Sequence, residues 1–270
     1  MFVVVNVKPS GKRKIKKGRT VEKINEYFTA NGERFYVADV LAGEKGVEWD
    51  EVARFLGRHS SHILLDKNII LPENTDVGRF EPVAFKNLLI FNTLELLLKQ
   101  MYLAGCRTSC YINDPKGEYY PFLDKIVRYS AQTTVITTNR FRYLSRSAQI
   151  YRDYGAGITI TEKTEISSDS AVVIDTAGTF FGDGIVFSAY NNGITPKYTE
   201  GFNDLKALCP AYIEPVDFLG AVYELNRDKR LNNALCRVFS SDGTDIKALE
   251  LLEMLVPKNT QPESSIIFSI

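Results

Sequence analysis

TSCYIND (residues 108–114), TTVITT (133–138), GITIT (157–161) and SAVVIDT (170–176) are short runs rich in β-branched residues. Helical patterns fill the first two gaps between them. Strands alternating with helices of this size predict parallel strands joined by right-handed crossovers. That is half of a doubly wound sheet, and the rest of the chain is read outward from it.

The first helical gap holds PFLDKIVRYSA, with Pro121 in the first turn, where proline is tolerated. The second holds RFRYLSRSAQIYRDY, with Asn139 at its start and Gly155 at its end. Upstream, residues 83–104 carry leucines and aromatics around most of a helical circumference, as expected of a helix buried between layers. PENTDVGRFEP (72–82) precedes it and is the clearest boundary, being polar and bracketed by prolines.

N-terminal to that boundary, FVVVNV reads as a buried strand. KPSGKRKIKKGRT follows. It is a run of basic residues without interleaved aromatics, read as a solvated loop with an anion contact as the alternative. Val21, Ile24, Tyr27 and Phe28 fall at helical spacing and predict a short helix stopped by Asn31-Gly32. RFYVADVL (34–41) and the residues after His62 read as strands, and WDEVARFL (49–56) as an amphipathic helix. C-terminal to the central stretch, GTFFGDG is a glycine-bearing loop and IVFSAY (185–190) a further strand. From about Pro196 the pattern is mainly helical, with PVDFLGAVYELNRD starting at Pro215 and DIKALELLEML opened by Thr244 or Asp245. SSIIFSI (264–270) reads as a last strand, tied into the sheet or into a second copy as a homodimer.

The expected fold is therefore α/β. It has a Rossmann-like, mostly parallel sheet, a smaller N-terminal α/β unit over 1–81, and a Rossmann-like domain with C-terminal helices over 82–270. Lys plus Arg and Asp plus Glu both number 33, which disfavours a chain devoted to nucleic acid or an anionic membrane. No apolar run is long enough to span a bilayer and no signal-peptide pattern opens the chain, which points to the cytoplasm. Cys106, Cys110, Cys209 and Cys236 lack the paired spacing of thiolate metal sites and read as buried thiols. His59 and His62 are the only histidines; a metal site there requires both on one helical face.

In an open α/β sheet, ligands sit beyond the carboxyl ends of the strands. Those ends carry Asp114, Lys116 and Gly117, then Thr138, Asn139 and Arg140, then Asp175 and Thr176, and these are the candidate ligand-binding residues. Asp114, Asp175 and Glu162 could serve acid–base chemistry if they converge; the plainer reading is helix caps and loop anchors. No G-x-S-x-G elbow and no Walker loop occurs.

TVITTNR ends a second strand in Asn139-Arg140, and SSDSAVVIDTAG forms a later one. In both places the chain resembles the nucleotide-binding domain of the shikimate dehydrogenase family. The resemblance covers roughly residues 107–178. It implies that Asn139 and Arg140 would meet the adenosine 2′-phosphate of NADP and that the later strand would pass beside the nicotinamide. The first strand departs from that pattern. Where a dinucleotide fold has G-x-G-x-x-G, this chain has N-D-P-K-G-E-Y-Y. Pro115 removes a backbone donor, and Asp114 and Glu118 put negative charge where a diphosphate would lie.

The functional expectation is a small anionic or nucleotide-like ligand on a degenerate Rossmann-like domain, with no catalysis identified and the cofactor unknown. The alternatives are an NAD(P)-dependent oxidoreductase and a non-catalytic scaffold.

Overall fold

The computed structural model describes residues 1–10, 20–163, 171–190 and 192–256. In chain order the elements are β1 (Val3–Pro9), β2 (Val21–Phe28), β3 (Arg34–Ala42), α1 (Trp49–Leu56), β4 (Ile63–Leu65), α2 (Val83–Leu103), β5 (Ser109–Asn113), α3 (Leu123–Val127), β6 (Gln132–Ile136) and α4 (Arg140–Tyr154). They continue with β7 (Ile158–Thr161), β8 (Val172–Asp175), β9 (Ile185–Ser188), β10 (Thr195–Thr199), α5 (Asn203–Lys206), α6 (Pro215–Asn226), β11 (Cys236–Ser241), β12 (Thr244–Lys247) and α7 (Ala248–Leu255). Two compact units result. One joins Met1–Phe85 to Gly201–Asn232, and the other joins Lys86–Glu200 to Asn233–Ile270. The chain thus leaves the first unit, returns to it for α5 and α6, and leaves again. The basic run after Gly11 and the terminal SSIIFSI lie outside the described residues.

In the first unit the sheet order is β2-β3-β1-β4. β1 lies parallel to β3 and β4, and its three leading valines are buried, as a continuous β-branched run requires of a central strand. On one face Val3, Val5, Ala38 and Val40 pack against Trp49, Val52 and Leu56 of α1. On the other, Phe2 stacks on Phe35 at 5.4 Å, and Phe218 of α6 meets both edge-on at 5.7 and 5.2 Å. Each such buried side chain contributes about 1.5–3 kcal/mol.

Residues 21–28, expected as a helix, are instead the antiparallel edge strand β2. Asn31 and Gly32 belong to a hairpin turn over residues 29–32, with Ala30 and Asn31 at its centre. Gly32 has φ +77°, its amide donates to the Thr29 carbonyl at 2.9 Å, and the Thr29 amide donates to the Glu33 carbonyl at 2.8 Å. The ladder to β3 and the stacking of Tyr27 on Phe35 outweigh the helical spacing, whose apolar face would find nothing to cover.

The second unit holds a five-stranded sheet of order β7-β6-β5-β8-β9, parallel at every junction. Counted within the unit this is the order of a Rossmann-like half-sheet. α3, preceded by a short 3-10 turn, links β5 to β6, and α4 links β6 to β7. α2 is buried through Leu88, Leu89, Ile90, Phe91 and Leu94. Phe91 stacks on Phe122, and the Asn92 amide and Thr93 hydroxyl engage the backbone of Ala234 and Cys236. The β8–β9 crossover has no helix; it is the glycine-bearing loop.

The tail contains the expected helices α6 and α7 but also an antiparallel sheet, β10-β11-β12. β11 and β12 are joined by Asp242-Gly243, with φ +49° and +79°, so this dipeptide is a second hairpin turn. α7 accordingly begins at Ala248, with Glu250 Oε2 accepting from the Lys247 amide at 2.9 Å. No helix among the described residues is long and apolar enough to cross a membrane.

Candidate ligand crevice at the strand ends

β5 has β6 on one side and β8 on the other, so the direction of winding reverses at β5. Ligands of open α/β sheets bind outside the carboxyl ends at such a switch point. The loops that meet there leave β5, β6 and β8.

The exit of β5 is organised by Asp114. Its buried carboxylate accepts the Tyr119 amide at 2.8 Å and the Tyr143 hydroxyl at 2.6 Å, both through Oδ2. Burial, together with this carboxylate, pushes the Tyr143 phenol well above its ordinary value. The Gly117 amide turns back to the Asp114 carbonyl at 3.1 Å. Gly117 has φ +67°, and a Cβ there would stand 3.2 Å from Asn139 Cβ, so the turn fits glycine on both counts.

The exits of β5 and β6 are clamped together. Thr138 Oγ1 donates to the Pro115 carbonyl at 2.8 Å, and Asn139 Nδ2 donates to the Lys116 carbonyl at 3.2 Å. Asn139 therefore occupies the N-cap position of α4 without capping it. The first turn of α4 carries Arg140 and Arg142 and no acidic residue, the reverse of what the helix dipole favours. The side chains of Lys116 and Arg140 are exposed and make no hydrogen bond or ion pair among the described residues.

The exit of β8 is organised by Asp175, which is fully buried. Oδ1 accepts from Asn113 Nδ2 at 2.9 Å and from the amides of Ala177, Gly178 and Thr179 at 3.2, 3.0 and 3.4 Å. Oδ2 accepts from the Phe180 amide at 3.0 Å and Asn192 Nδ2 at 2.9 Å. One carboxylate thus gathers the loop that stands in for a crossover helix. Thr176 Oγ1 donates to the Asn113 carbonyl at 2.9 Å. Asn87, on α2, donates to the Tyr119 hydroxyl at 2.8 Å.

Asp114 and Asp175 thus end neighbouring strands, while Glu162 follows β7, two strands from β5. Both aspartates hold loops through the chain's own donors. The role of Tyr143 had no local signature, because it meets Asp114 across 29 residues. Two further arginines in this part of the chain have partners of their own. Arg146 binds Asp124 at 2.5 Å and Arg128 lies over the Tyr154 ring at 4.7 Å. His59 ends a 3-10 turn and His62 pairs with the Ser61 hydroxyl at 2.8 Å, so they share no helical face. Burial pushes the thiols of Cys110, Cys209 and Cys236 up to about 12. Among the described residues no three His, Cys, Asp or Glu side chains are grouped to hold a metal ion.

No protein-family model matches this chain, and no curated protein matches it. Among solved structures it is similar to L-tryptophan dehydrogenase from Nostoc punctiforme, at 12% identity and a TM-score of 0.29. The match takes in 75% of this chain and 64% of that one, so this chain spans less than two thirds of that structure's length.

Proposed function

We propose that the protein binds a small anionic or nucleotide-like ligand where the loops after β5 and β6 meet the N-terminus of α4. The observation that carries this reading is the uncapped first turn of α4, with Arg140 and Lys116 beside it and unpartnered among the described residues. Amide donors without a side-chain cap, the positive end of the helix dipole and two cations form a field that an anion relieves.

A full dinucleotide fits this arrangement less well. The Tyr119 amide, which lies in the turn where a dinucleotide's diphosphate would sit, is already taken by the Asp114 carboxylate. A second anion there would meet that charge at short range. The NAD(P)-dependent oxidoreductase reading therefore ranks second, resting on the Asn139-Arg140 pair at the end of β6. No catalytic residue is assigned.

Thermal shift and calorimetry test both readings. The ligands are an adenosine bisphosphate, a sugar phosphate, a dicarboxylate and NADPH, on the wild type and on Arg140→Ala and Lys116→Ala. Stabilisation by one of the smaller anions, weakened about tenfold by either substitution, is expected. Tight NADPH binding lost in Arg140→Ala would instead favour the oxidoreductase. Silence from every ligand at millimolar concentration would remove the site.

A further inference from the structure

The first unit has a cleft of its own, built from residues that the ligand site at α4 does not use. It lies where the start of β2 meets the outer side of α1, at the end of the sheet where β3 runs out. Thr20, Val21, Glu51, Arg54 and Phe55 line about 270 Å³. Drug-sized sites run to roughly 300–1,000 Å³, so this one suits a small metabolite.

Both signs of charge are held in place here. Glu51, Arg54 and Phe55 fall at three- and four-residue steps on α1 and share one face. That face is the outer one, since Trp49, Val52, Ala53 and Leu56 are the buried residues of the helix. Thr20, itself buried, donates through Oγ1 to Glu51 Oε2 at 2.6 Å. A carboxylate accepts about four such bonds, so Glu51 has capacity for a further donor. Arg54 Nε donates to the Asp50 carbonyl at 3.2 Å, which orients the guanidinium. Its two Nη groups have no partner among the described residues, and their planar fork matches a carboxylate. Phe55 is 60% exposed and, with Val21, supplies the apolar wall. A ligand that covers this ring removes apolar surface from water.

The two signs together decide the ligand class. A simple anion drawn to Arg54 would also meet Glu51, and a simple cation drawn to Glu51 would also meet Arg54. A zwitterion satisfies both. We infer that this cleft binds a small zwitterion with an apolar body, the chemistry of a free apolar α-amino acid. Its ammonium donates to Glu51, its carboxylate takes the Nη groups of Arg54, and its side chain lies against Phe55 and Val21.

The probes are L-phenylalanine and three compounds that each lack one part of it. 3-Phenylpropanoate lacks the ammonium, phenethylamine lacks the carboxylate, and glycine lacks the apolar body. Calorimetry on the full chain should show L-phenylalanine binding about tenfold or more tightly than any of the three. Arg54→Gln should weaken it by about tenfold, because a neutral amide replaces the guanidinium fork. Glu51→Gln keeps an acceptor for Thr20 and should remove the preference for L-phenylalanine over 3-phenylpropanoate. Arg54 is solvent-facing, and thermal melts confirm that both variants remain folded; if Glu51→Gln does not, Arg54→Gln alone decides. Absence of L-phenylalanine binding at tens of millimolar overturns the inference. So does equal binding of the four compounds, or unchanged affinity in Arg54→Gln. No residue of this cleft belongs to the site at Arg140 and Lys116, so the two readings fail separately.

Discussion

The hydroxyl of Tyr143, on α4, donates at 2.6 Å to Oδ2 of Asp114, the residue that follows β5. Both groups are buried, and the same oxygen accepts the Tyr119 amide at 2.8 Å. One carboxylate thereby fixes the β5–α3 turn and fastens it to the helix whose N-terminus forms the proposed site.

Tyr143→Phe removes a donor from that carboxylate while keeping the ring. We expect a loss of about 1–3 kcal/mol in urea unfolding, the cost of leaving a buried charged acceptor short of a partner. Anion binding at Arg140 should weaken alongside it. An unchanged midpoint would mean that water replaces the phenol.

Asp175→Ala leaves the amides of residues 177–180 without their common acceptor. No crossover helix can take over, so the loss should be about 3 kcal/mol or more. Hydrogen exchange at those amides should accelerate more than in the strands. Retained protection would show that Asp175 is not what orders the loop.

Asp228 sets a pH dependence in the first unit. Burial opposes its ionisation, but bonds from Arg230, at 2.5, 2.9 and 3.1 Å from its side chain and 3.0 Å from its amide, outweigh it and hold the carboxyl below its ordinary value of 3.8. A depressed folded pKa stabilises the protein above the unfolded value, and that stability is lost as pH falls through the folded one. The stability gap between wild type and Asp228→Asn should thus be full at neutral pH and narrow below 3.8. A gap that stays constant into acid would refute the linkage.

Gly220 lies inside α6, where alanine ordinarily improves a helix by about 1 kcal/mol. A Cβ at Gly220 would stand 2.2 Å from Pro82 Cβ and 3.3 Å from Phe85. Repacking there should cost about 1–3 kcal/mol, so Gly220→Ala is expected to lower the melting temperature despite its higher propensity. A rise would show that residues 82–85 yield easily.

The core of the second unit could be read from the residue pattern. β5 to β8 with α4 between them, the all-round apolar α2, and α1 in the first unit were legible because each has a strong period and clear end signals. The candidate residues at the strand ends were legible too, because strand order alone puts them at one edge. Two hairpins escaped for one reason. Asn31-Gly32 and Asp242-Gly243 lie in hairpin turns that local spacing presents as a helix stop and the approach to a helix start. Only the presence of β3 and β11 as pairing partners decides between the readings. Tertiary structure alone also decided what the strand-end groups do. Asp114 and Asp175 look alike in sequence to Lys116 and Arg140 as polar loop residues. Yet the fold brings buried donors from 29 and 62 residues away onto the two carboxylates, while the described residues place nothing on the two cations. Hydrogen-bond satisfaction depends on which distant groups arrive, and no local pattern carries that information.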